Sequence, residues 1–392
     1  METYDCVVVG AGPAGSTAAR LLASGGAKVL LLDRAEFPRD KPCGGGVTVR
    51  AHELIPSSFD GWEQEIREAR FSYKEKPSFS YSAAQPLAYV TQRRKLDLFL
   101  AAEAEKSGAT FRDGVKVTSV TVAGQISTVE TSKDSYTARV AIGADGANGV
   151  VARAVGLTPR LTHWVALEGN AVDPARVRQW SGALGFDFGS VPGGYGWLFP
   201  RGEHINIGVG GWESTGPQLR ALLDVVSRHY GVRAESLCDL KGHTLPLRRP
   251  GAQLAKGNVL LVGDAAALVD PLSGEGIHSA LLSGVLAAKA VAGFLAGRNA
   301  LDQYQADVDR ELSPELVTAA RLHALFHRSP NLYLAVLKRS PWIWRRLVSF
   351  VRGESTYATI RDSFGPLGVL AAVASRTIGK VPEKPEPARP NA

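Results

Sequence analysis

Short apolar runs that end at glycine recur along the chain and alternate with segments of helical period. Residues 5–9 and 27–32 are β-branched or leucine-rich runs, which are typical of buried parallel strands. The segment 14–23 between them predicts a helix of small residues that ends at Gly25-Gly26. The order strand, helix, strand predicts a βαβ unit, with Asp33 at the end of its second strand.

Later segments repeat one of these two patterns or show polar–apolar alternation. Residues 140–143 and 259–262 predict two further buried strands, and an alanine-rich helix follows the second of them to about Leu295. Residues 94–107 predict a helix, whereas 45–70 is mixed and partly helical. Alternation predicts antiparallel strands at 71–90, and residues 115–122 and 126–131 predict a hairpin. The segment 167–211, rich in glycine and aromatic residues, predicts a second, mostly antiparallel sheet. Prolines 314, 330, 341 and 366 divide a helical C-terminal region.

These elements predict an α/β protein with a composite architecture. We expect a discontinuous dinucleotide-binding domain, a mostly antiparallel β domain for substrate, a C-terminal helical region and a proline-rich disordered tail. Their predicted boundaries are 1–70, 91–160 and 250–310 for the first domain, 71–90 and 161–249 for the second, 311–381 for the helices and 382–392 for the tail.

The composition is that of an ordinary globular protein. The chain has 392 residues, of which 45% are hydrophobic and 21% charged. No continuous apolar run approaches the length of a spanning helix, and the first strand begins too near Met1 to leave room for a signal peptide. Three cysteines give no disulfide framework and no metal-binding spacing, so we expect no metal and a reducing, cytoplasmic environment.

The net charge of +7 is concentrated near the C-terminus. No acidic residue lies between Glu315 and Glu354, and aromatic residues such as Trp342 and Trp344 alternate there with the cations. This pattern fits either a solvated basic face or a surface that meets anionic lipid headgroups. Nucleic acid is not expected as a partner, because no recognised binding motif accompanies the charge. The seven cations are Arg321, Arg328, Lys338, Arg339, Arg345, Arg346 and Arg352.

Three glycine-rich motifs in this order point to one bound FAD. The first, residues 10–15, has the spacing that brings a pyrophosphate to a helix N-terminus, and Asp33 can accept from ribose hydroxyls. The second is Gly143-Ala144-Asp145-Gly146. In the third, Asp264 follows a buried strand, and residues 274–277 open a helix whose N–H groups would stabilise a negatively charged reduced flavin.

By these motifs the chain resembles the glutathione-reductase-type flavoproteins, in the branch of para-hydroxybenzoate hydroxylase. Arg93, at a helix start, is similar to that branch's flavin-contacting arginine. Lys41-Pro42-Cys43-Gly44-Gly45 and Pro192-Gly193-Gly194-Tyr195-Gly196-Trp197-Leu198-Phe199-Pro200 resemble two segments of the geranylgeranyl reductase family. The resemblance implies that FAD contacts Gly10, Gly12, Ala14, Gly15, Asp33, Arg34, Cys43, Gly44, Gly45, Arg93, Asp145, Gly263, Asp264, Gly274, Gly276 and Ile277.

That family reduces carbon–carbon double bonds in isoprenoid chains. The resemblance therefore implies an isoprenoid lipid substrate, an electron donor that is either NADPH or a reduced protein carrier, and a location on the inner face of the cell membrane. Alternation along one strand places the rings of Tyr195, Trp197 and Phe199 on one face, and we expect these three with Pro200 to contact substrate. Cys43 is the expected proton donor or positioning group, whereas Cys6 and Cys238 are expected to be inert.

Four other interpretations remain open on the sequence. An FAD-dependent monooxygenase shares the fold but not the Cys-Gly-Gly and aromatic segments. A flavin halogenase would carry a different aromatic motif, with Trp and Ile at positions 195 and 199. An electron-transfer flavoprotein–quinone oxidoreductase needs an iron–sulfur cluster, for which the cysteines are too few. A non-redox prenyl-binding carrier would not need the cofactor motifs. Glu275, where some family members have glycine, is a departure from the pattern.

Overall fold

The computed structural model describes residues 2–298 and 301–362. Pro366 and the predicted tail 382–392 lie outside these residues. The strands are β1 (Glu2–Val9), β2 (Val29–Leu32), β3 (Gly46–Thr48), β4 (Gln64–Ile66), β5 (Glu68–Tyr73), β6 (Lys76–Ser82), β7 (Ala88–Val90), β8 (Thr110–Arg112), β9 (Val117–Ala123), β10 (Ile126–Thr131), β11 (Ser135–Gly143), β12 (Arg160–Val172), β13 (Ala183–Phe188), β14 (Tyr195–Arg201), β15 (His204–Trp212), β16 (Cys238–Arg248), β17 (Ala255–Lys256) and β18 (Val259–Leu261). The helices are α1 (Pro13–Ser24), α2 (Val49–His52), α3 (Arg93–Lys106), α4 (Val151–Ala154), α5 (Pro174–Gln179), α6 (Leu219–His229), α7 (Ile277–Leu295), α8 (Leu301–Glu311), α9 (Ser313–Phe326), α10 (Pro330–Arg339), α11 (Pro341–Val351) and α12 (Tyr357–Asp362).

The first sheet contains the predicted parallel strands. Its order is β17-β18-β11-β1-β2-β8, and β1 runs parallel to both β2 and β11. Its central strands are buried runs such as Val29–Leu32, in which every residue is inaccessible. The predicted hairpin of β9 and β10 extends from β11. The carboxyl ends of β1, β11 and β18 therefore lie side by side, which brings the three glycine-rich motifs to one edge, as the expected FAD-binding fold requires.

Helices α1 and α7 pack closely at this edge. A Cβ atom on Gly284 of α7 would lie 2.4 Å from the backbone oxygen of Ala14, so only glycine permits the approach. Contrary to the sequence expectation, α7 is long and apolar enough to cross a membrane by length and composition, with a mean hydropathy of 1.5. However, 67% of that window is buried inside the protein, so the structure uses α7 as a core helix.

The second sheet is the predicted antiparallel one. Its order is β16-β12-β15-β14-β13-β5-β6, and all its pairings are antiparallel except that of β13 with β5. Strand β5 begins at Glu68, a little before the predicted boundary. Gly208 of β15 lies opposite Trp197 of β14, where a Cβ atom would come within 2.0 Å of the indole ring. This glycine lets a large ring lie flat across the sheet.

A third, small sheet was not foreseen. It joins β3 and β4, from the segment expected to be mixed and partly helical, to β7, from the segment assigned to the antiparallel domain. In residues 45–70 the only helix that the structure describes is the four-residue α2. Local alternation could not distinguish which sheet β7 would join, because that pairing is between residues far apart in sequence.

The C-terminal helices follow the prolines as predicted. Pro314 lies in the first turn of α9, while Pro330 and Pro341 are the first residues of α10 and α11. Proline suits that position because its missing N–H would have no intrahelical partner. Helix α11 returns to the second sheet, where Trp344 stacks on Tyr81 of β6 with 4.9 Å between ring centroids.

Candidate active site

One cavity of about 450 Å³ runs from the glycine-rich edge of the first sheet to the aromatic face of the second. Gly12, Arg93 and Asp264 line one part of it, and Trp197 and Phe199 line another. Cys43 also lines the cavity, together with Gly44 and Gly45, the two glycines that follow it. Predicted cofactor residues and predicted substrate residues thus line one shared space.

The first glycine motif has the backbone geometry that a close helix–strand turn requires. Gly10 has a φ of 107°, and a Cβ atom there would lie 2.2 Å from the oxygen of Ala144. A Cβ atom on Gly15 would lie 1.9 Å from the oxygen of Gly10. Both positions therefore accept only glycine, which fixes the loop and directs the α1 N-terminus at the cavity.

Gly12 differs because its missing side chain faces open space bounded by two arginines. A Cβ atom there would lie 3.7 Å from Arg39 and 3.8 Å from Arg93. Asp97 holds both guanidinium groups, at 2.9 Å from Arg39 and in a two-bond pair with Arg93 at 2.7 and 2.8 Å. Burial lowers the pKa of Arg93, but the Asp97 carboxylate outweighs it and the pKa is raised. The result is a fixed pair of cations at a helix N-terminus, which suits a pyrophosphate.

Asp264 is the predicted carboxylate of the third motif, and it lies in the short 3-10 turn Gly263–Ala266. Lys41 donates to it at 2.9 Å, and His243 approaches to 3.7 Å. Burial raises the pKa of Asp264, but Lys41 and His243 outweigh it and hold the pKa far below the usual range. Within the described residues, the buried Nε2 of His243 has no hydrogen-bond partner. A polar ligand in the cavity would supply the hydrogen bond that this nitrogen lacks.

The N-terminus of α7 forms the adjoining wall. Gly274 has a φ of 71° and Gly276 precedes the helix, and both line the cavity with Ile277. A Cβ atom on Gly276 would lie 3.3 Å from Asp264, so these two predicted cofactor residues are neighbours. The α1 and α7 N-termini thus face one space, which Arg93 and His243 also line. These features fit FAD, whose pyrophosphate α1 would hold and whose ring α7 would face.

The loop that carries Cys43 packs directly against the aromatic strand. A Cβ atom on Gly44 would lie 2.8 Å from the Phe199 ring, and Gly45, with a φ of 83°, would place one 2.2 Å from the oxygen of Thr91. The Cys43 carbonyl accepts from Arg201 at 3.1 Å. Both glycines are therefore required for the loop to reach its place, and they present Cys43 to the cavity.

A buried acid, Glu168 of β12, lies on the other side of this loop. Its Oε1 accepts from the Cys43 N–H at 2.8 Å, and its side chain lines the cavity. The residue is only 8% exposed, and this burial raises the pKa of Glu168 although Arg201 acts in the opposite direction.

The aromatic strand β14 has the predicted alternation. Tyr195, Trp197 and Phe199 line the cavity, and the Trp197 Nε1 donates to Asn206 at 2.8 Å. The Tyr195 hydroxyl donates to the carbonyl oxygen of Ser273, which ties the aromatic face to the loop before α7. Pro200 falls on the opposite, buried face of β14 and does not line the cavity. Its predicted contact with substrate has no support in this geometry.

Helix α11 closes the far end of the cavity. Trp344, Leu347 and Val348 line it, opposite Phe71 of β5 and Phe186 of β13. Trp344 meets Phe71 edge to face with 6.3 Å between centroids. The basic C-terminal region therefore has an inner, apolar face that the charge pattern alone did not indicate.

Glu275, the departure from the family pattern, is paired. It accepts from Thr48 at 2.6 Å and from Arg50 at 2.8 Å, and Arg50 lies 4.2 Å above the ring of Phe350 in α11. Burial raises the pKa of Glu275, but Arg50 outweighs it and the pKa is lowered. The side chain thus links the α7 N-terminus to α11.

Three predicted cofactor residues lie beside the cavity. Asp33 accepts from the N–H groups of Ala11 and Ala35 at 2.8 and 2.9 Å, so it holds the glycine loop in place. Asp145 accepts from the N–H groups of residues 150 and 151 at the start of α4. Burial raises the pKa of Asp145. Arg34 is exposed near it. Whether these three touch the cofactor stays a prediction.

The other cysteines differ from Cys43. Cys6 is fully buried in β1, and burial raises the pKa of its thiol strongly. Cys238 is exposed at the start of β16, and its thiol contacts the oxygen of Asn170 at 3.2 Å. Among the described residues, no group of three or more His, Cys, Asp or Glu side chains could hold a metal ion.

Sequence reasoning missed several residues of the site. Lys41 had a usable signal, since it directly precedes the cysteine motif. Glu168 had a weaker one, as a lone acid in the apolar run from Val165. Arg39 and His243 had none, because only the pairing of distant segments brings them to Asp97 and Asp264.

Known proteins resemble this chain in sequence. Residues 3–183 match the FAD binding domain family. A digeranylgeranylglycerophospholipid reductase of Methanopyrus kandleri is 34% identical, over 72% of this chain and 79% of its own. A menaquinone reductase of Mycolicibacterium smegmatis is also 34% identical, over 73% of this chain and 75% of its own.

Solved structures show the same fold. A geranylgeranyl bacteriochlorophyll reductase-like protein of Thermoplasma acidophilum superimposes with a TM-score of 0.77 at 24% identity, covering 89% of this chain and 96% of its own. A flavin-dependent brominase reaches a TM-score of 0.73 at 17% identity, covering 93% and 99%. At these identities the likeness concerns the fold, which halogenases and reductases share.

Proposed function

We propose that this chain, which belongs to the geranylgeranyl reductase family of flavoproteins, reduces carbon–carbon double bonds of a polyprenyl chain carried by a lipid, a quinone or a related isoprenoid. The observation that carries the proposal is the single cavity. It joins the part lined by Gly12, Arg93 and Asp264, where a dinucleotide would bind, to an aromatic chamber lined by Tyr195, Trp197 and Phe199. Cys43 lines the same cavity. A polyprenyl chain has no polar handles, so its chamber must bind by apolar contact.

FAD is the cofactor. Gly12, Arg39 and Arg93 would hold its pyrophosphate, and the α7 N-terminus would face its ring. When bound and reduced, FAD supplies the hydride. Aromatic side chains around Trp197 exclude water and hold the alkene, and the Cys43 loop brings a thiol to the same wall. An isolated alkene is a poor hydride acceptor, so a proton delivered to its second carbon is the contribution expected of Cys43.

The electron donor is NADPH or a reduced protein carrier. Anaerobic mixing of the oxidised holoenzyme with each donor distinguishes them, because only the effective donor bleaches the flavin spectrum.

We further propose that the protein works at the inner face of the cell membrane without spanning it. Helix α10 exposes three large apolar side chains: Leu332 is 60% exposed, Tyr333 39% and Val336 44%. Lys338 and Arg339 follow at the end of that helix, and both are exposed. The Tyr81 hydroxyl donates to the oxygen of Leu337 at 2.8 Å, which fixes this surface beside the α11 end of the cavity. Exposed apolar side chains with cations beside them suit binding to an anionic bilayer surface.

The function is tested with holoenzyme whose flavin has been reduced anaerobically. Incubation with a geranylgeranylated lipid or with menaquinone should reoxidise the flavin, and mass spectrometry should find hydrogen pairs added to the side chain. Flavin that is reoxidised only by oxygen, with a hydroxylated product, would instead identify a monooxygenase.

A further inference from the structure

Glu168 is a buried acid for which the described residues provide no ion pair. It sits in the middle of β12, opposite Gly208 on one side and Lys241 on the other. Its side chain lines the cavity that Cys43 also lines, yet the residue is only 8% exposed. Acidic residues are rarely this buried without a charged partner in direct contact.

The hydrogen bonds of Glu168 connect it to the cysteine loop. Oε1 accepts the Cys43 N–H at 2.8 Å. Within the described residues, no hydrogen-bond donor reaches Oε2. Arg201 donates to the Cys43 carbonyl rather than to Glu168, so the loop is held from both sides.

The charges around Glu168 do not force it to ionise. Burial is the largest influence and raises the pKa of Glu168, while Arg201, the Cys43 N–H, His243 and Lys241 act in the opposite direction. Burial prevails, so the carboxyl keeps its proton at higher pH than a solvated glutamate does. The Cys43 Sγ is three bonds from the backbone nitrogen that donates to Glu168, and it accepts from the Gly45 N–H at 3.4 Å. Proton exchange between this thiol and the carboxyl would run directly or through one water molecule.

We propose that Glu168 is the proton relay that restores the Cys43 thiol in each cycle. The inference rests on the proposed function. The hydride from reduced flavin forms a C–H bond at one alkene carbon and the Cys43 proton forms the other, while the C=C π bond and the S–H bond break. The alkene is reduced and the flavin oxidised. The thiolate then takes the Glu168 proton, and the carboxylate regains one from solvent.

Glu168→Gln separates the relay from a purely structural clamp. Glutamine keeps the side-chain length and an oxygen that can accept the Cys43 N–H, but it has no ionisable proton. With pre-reduced holoenzyme over repeated turnovers, we expect alkene reduction to slow by about 10²-fold or more, the range of a positioned proton donor. Flavin content and the rate of flavin reduction should not change.

Two further variants sharpen the result. Glu168→Asp keeps an ionisable proton on a shorter side chain, so a relay predicts that it outperforms the glutamine variant, whereas a clamp predicts the reverse order. Glu63→Gln is the matched control, because Glu63 is a largely buried acid that pairs with Lys95 and Gln92 and does not line the cavity. Its turnover should equal that of wild type.

Alkylation of Cys43 provides a readout that needs neither flavin nor substrate. In a Cys238→Ser background, where Cys6 is fully buried, iodoacetamide should report on Cys43 alone. Above the pH at which Glu168 loses its proton, its carboxylate opposes a second negative charge on the Cys43 thiol. Because a thiol ordinarily ionises at higher pH than a carboxyl, Glu168→Gln should move the onset of alkylation to lower pH. If the glutamine variant fails to hold flavin, the same profile on both apoproteins decides the question.

An unchanged alkylation profile, wild-type turnover in Glu168→Gln, or a glutamine variant faster than the aspartate variant would each overturn the relay. Failure of the wild type to reduce any polyprenyl chain would instead overturn the proposed function, and the alkylation profile would still test the coupling of Glu168 to Cys43.

Discussion

Gly12 and Gly15 belong to one loop, yet a side chain has opposite consequences at the two positions. At Gly15 a Cβ atom would collide with the Gly10 oxygen at 1.9 Å, so Gly15→Val should prevent folding. At Gly12 the nearest atoms are the ends of two arginine side chains, at 3.7 and 3.8 Å. Gly12→Val should therefore fold but lose FAD, because valine occupies the space that the pyrophosphate needs. Circular dichroism and visible absorbance of the purified variants measure the two effects.

A Gly12→Val protein with full flavin content would contradict the placement of the pyrophosphate. A variant that fails to fold would show that the loop has no room for a side chain at this position.

Replacing Cys43 should reduce catalytic activity without disturbing the structure of its loop. Cys43→Ala retains the backbone N–H that Glu168 accepts and the carbonyl that Arg201 contacts, so the loop and FAD binding should persist. Alkene reduction should fall by about 10²- to 10⁴-fold, as expected when a proton donor is removed. Single-turnover measurements with pre-reduced enzyme give the rate.

Cys6→Ala and Cys238→Ala serve as controls, and they should alter stability more than turnover. Wild-type turnover in Cys43→Ala would leave the thiol with a packing role only.

Two histidines couple the packing of α9 to pH: His323 lies within the helix, and His327 caps its C-terminus. His323 lies between Trp164 and Trp212, with 4.7 and 4.8 Å between ring centroids, and its Nε2 lies 3.2 Å from the oxygen of Gly193. Burial, and the nearby His327, lower the pKa of His323 to about 3, while burial lowers that of His327 to about 4. A tenfold difference in proton affinity between the folded and the unfolded chain corresponds to about 1.4 kcal/mol of stability once the unfolded chain is protonated.

The sign of the effect follows from the lowered values. Folded pKa values below the unfolded value of about 6.5 mean that stability is complete above pH ~6.5 and is lost as the pH falls toward the folded values. Urea midpoints measured from pH 7.5 to 5 should therefore fall less steeply in His323→Gln than in wild type. Part of the slope should remain, because burial also lowers the pKa of His278 to about 4. Identical slopes would show that α9 is not docked through His323.

At the scale of the whole molecule, α11 lines the cavity on one side and, together with the end of α10, carries exposed cations on the other. The inner face of α11 lines the cavity, while Arg345 is exposed, as are Lys338 and Arg339 at the end of α10. A lipid-borne substrate entering here would leave the bilayer at the surface that binds it. Each cation near an anionic surface contributes about 1 kcal/mol, and salt screens this attraction.

Charge reversal at Lys338, Arg339, Arg345 and Arg346 together should therefore release the protein from anionic vesicles without changing its flavin spectrum. Wild-type binding should weaken steeply as salt rises. A vesicle co-sedimentation assay measures both. The matched control reverses four exposed cations elsewhere, namely Lys116, Lys133, Arg178 and Arg220, and should retain binding. A wild type that ignores anionic vesicles at low salt would show that the basic surface is only a solvated face.

The sequence by itself determined the parts of this protein whose information is local. Buried runs predicted β1, β2, β11 and β18, and glycine spacing predicted the FAD loops, because a tight turn beside a helix N-terminus tolerates no Cβ atom. Period-two alternation put Tyr195, Trp197 and Phe199 on one face. Prolines predicted the starts of the C-terminal helices. Each of these follows from residues within about one element of each other.

Only the tertiary structure decided which distant residues meet. It brought Arg39 to Asp97, His243 to Asp264 and Glu168 to Cys43, and it turned Asp145 toward the start of α4. It also folded α11 over the aromatic chamber and moved β7 into a separate sheet. The physical reason is that these contacts arise from the pairing of sheets and helices far apart in sequence, so no local pattern records the partner of a charged side chain.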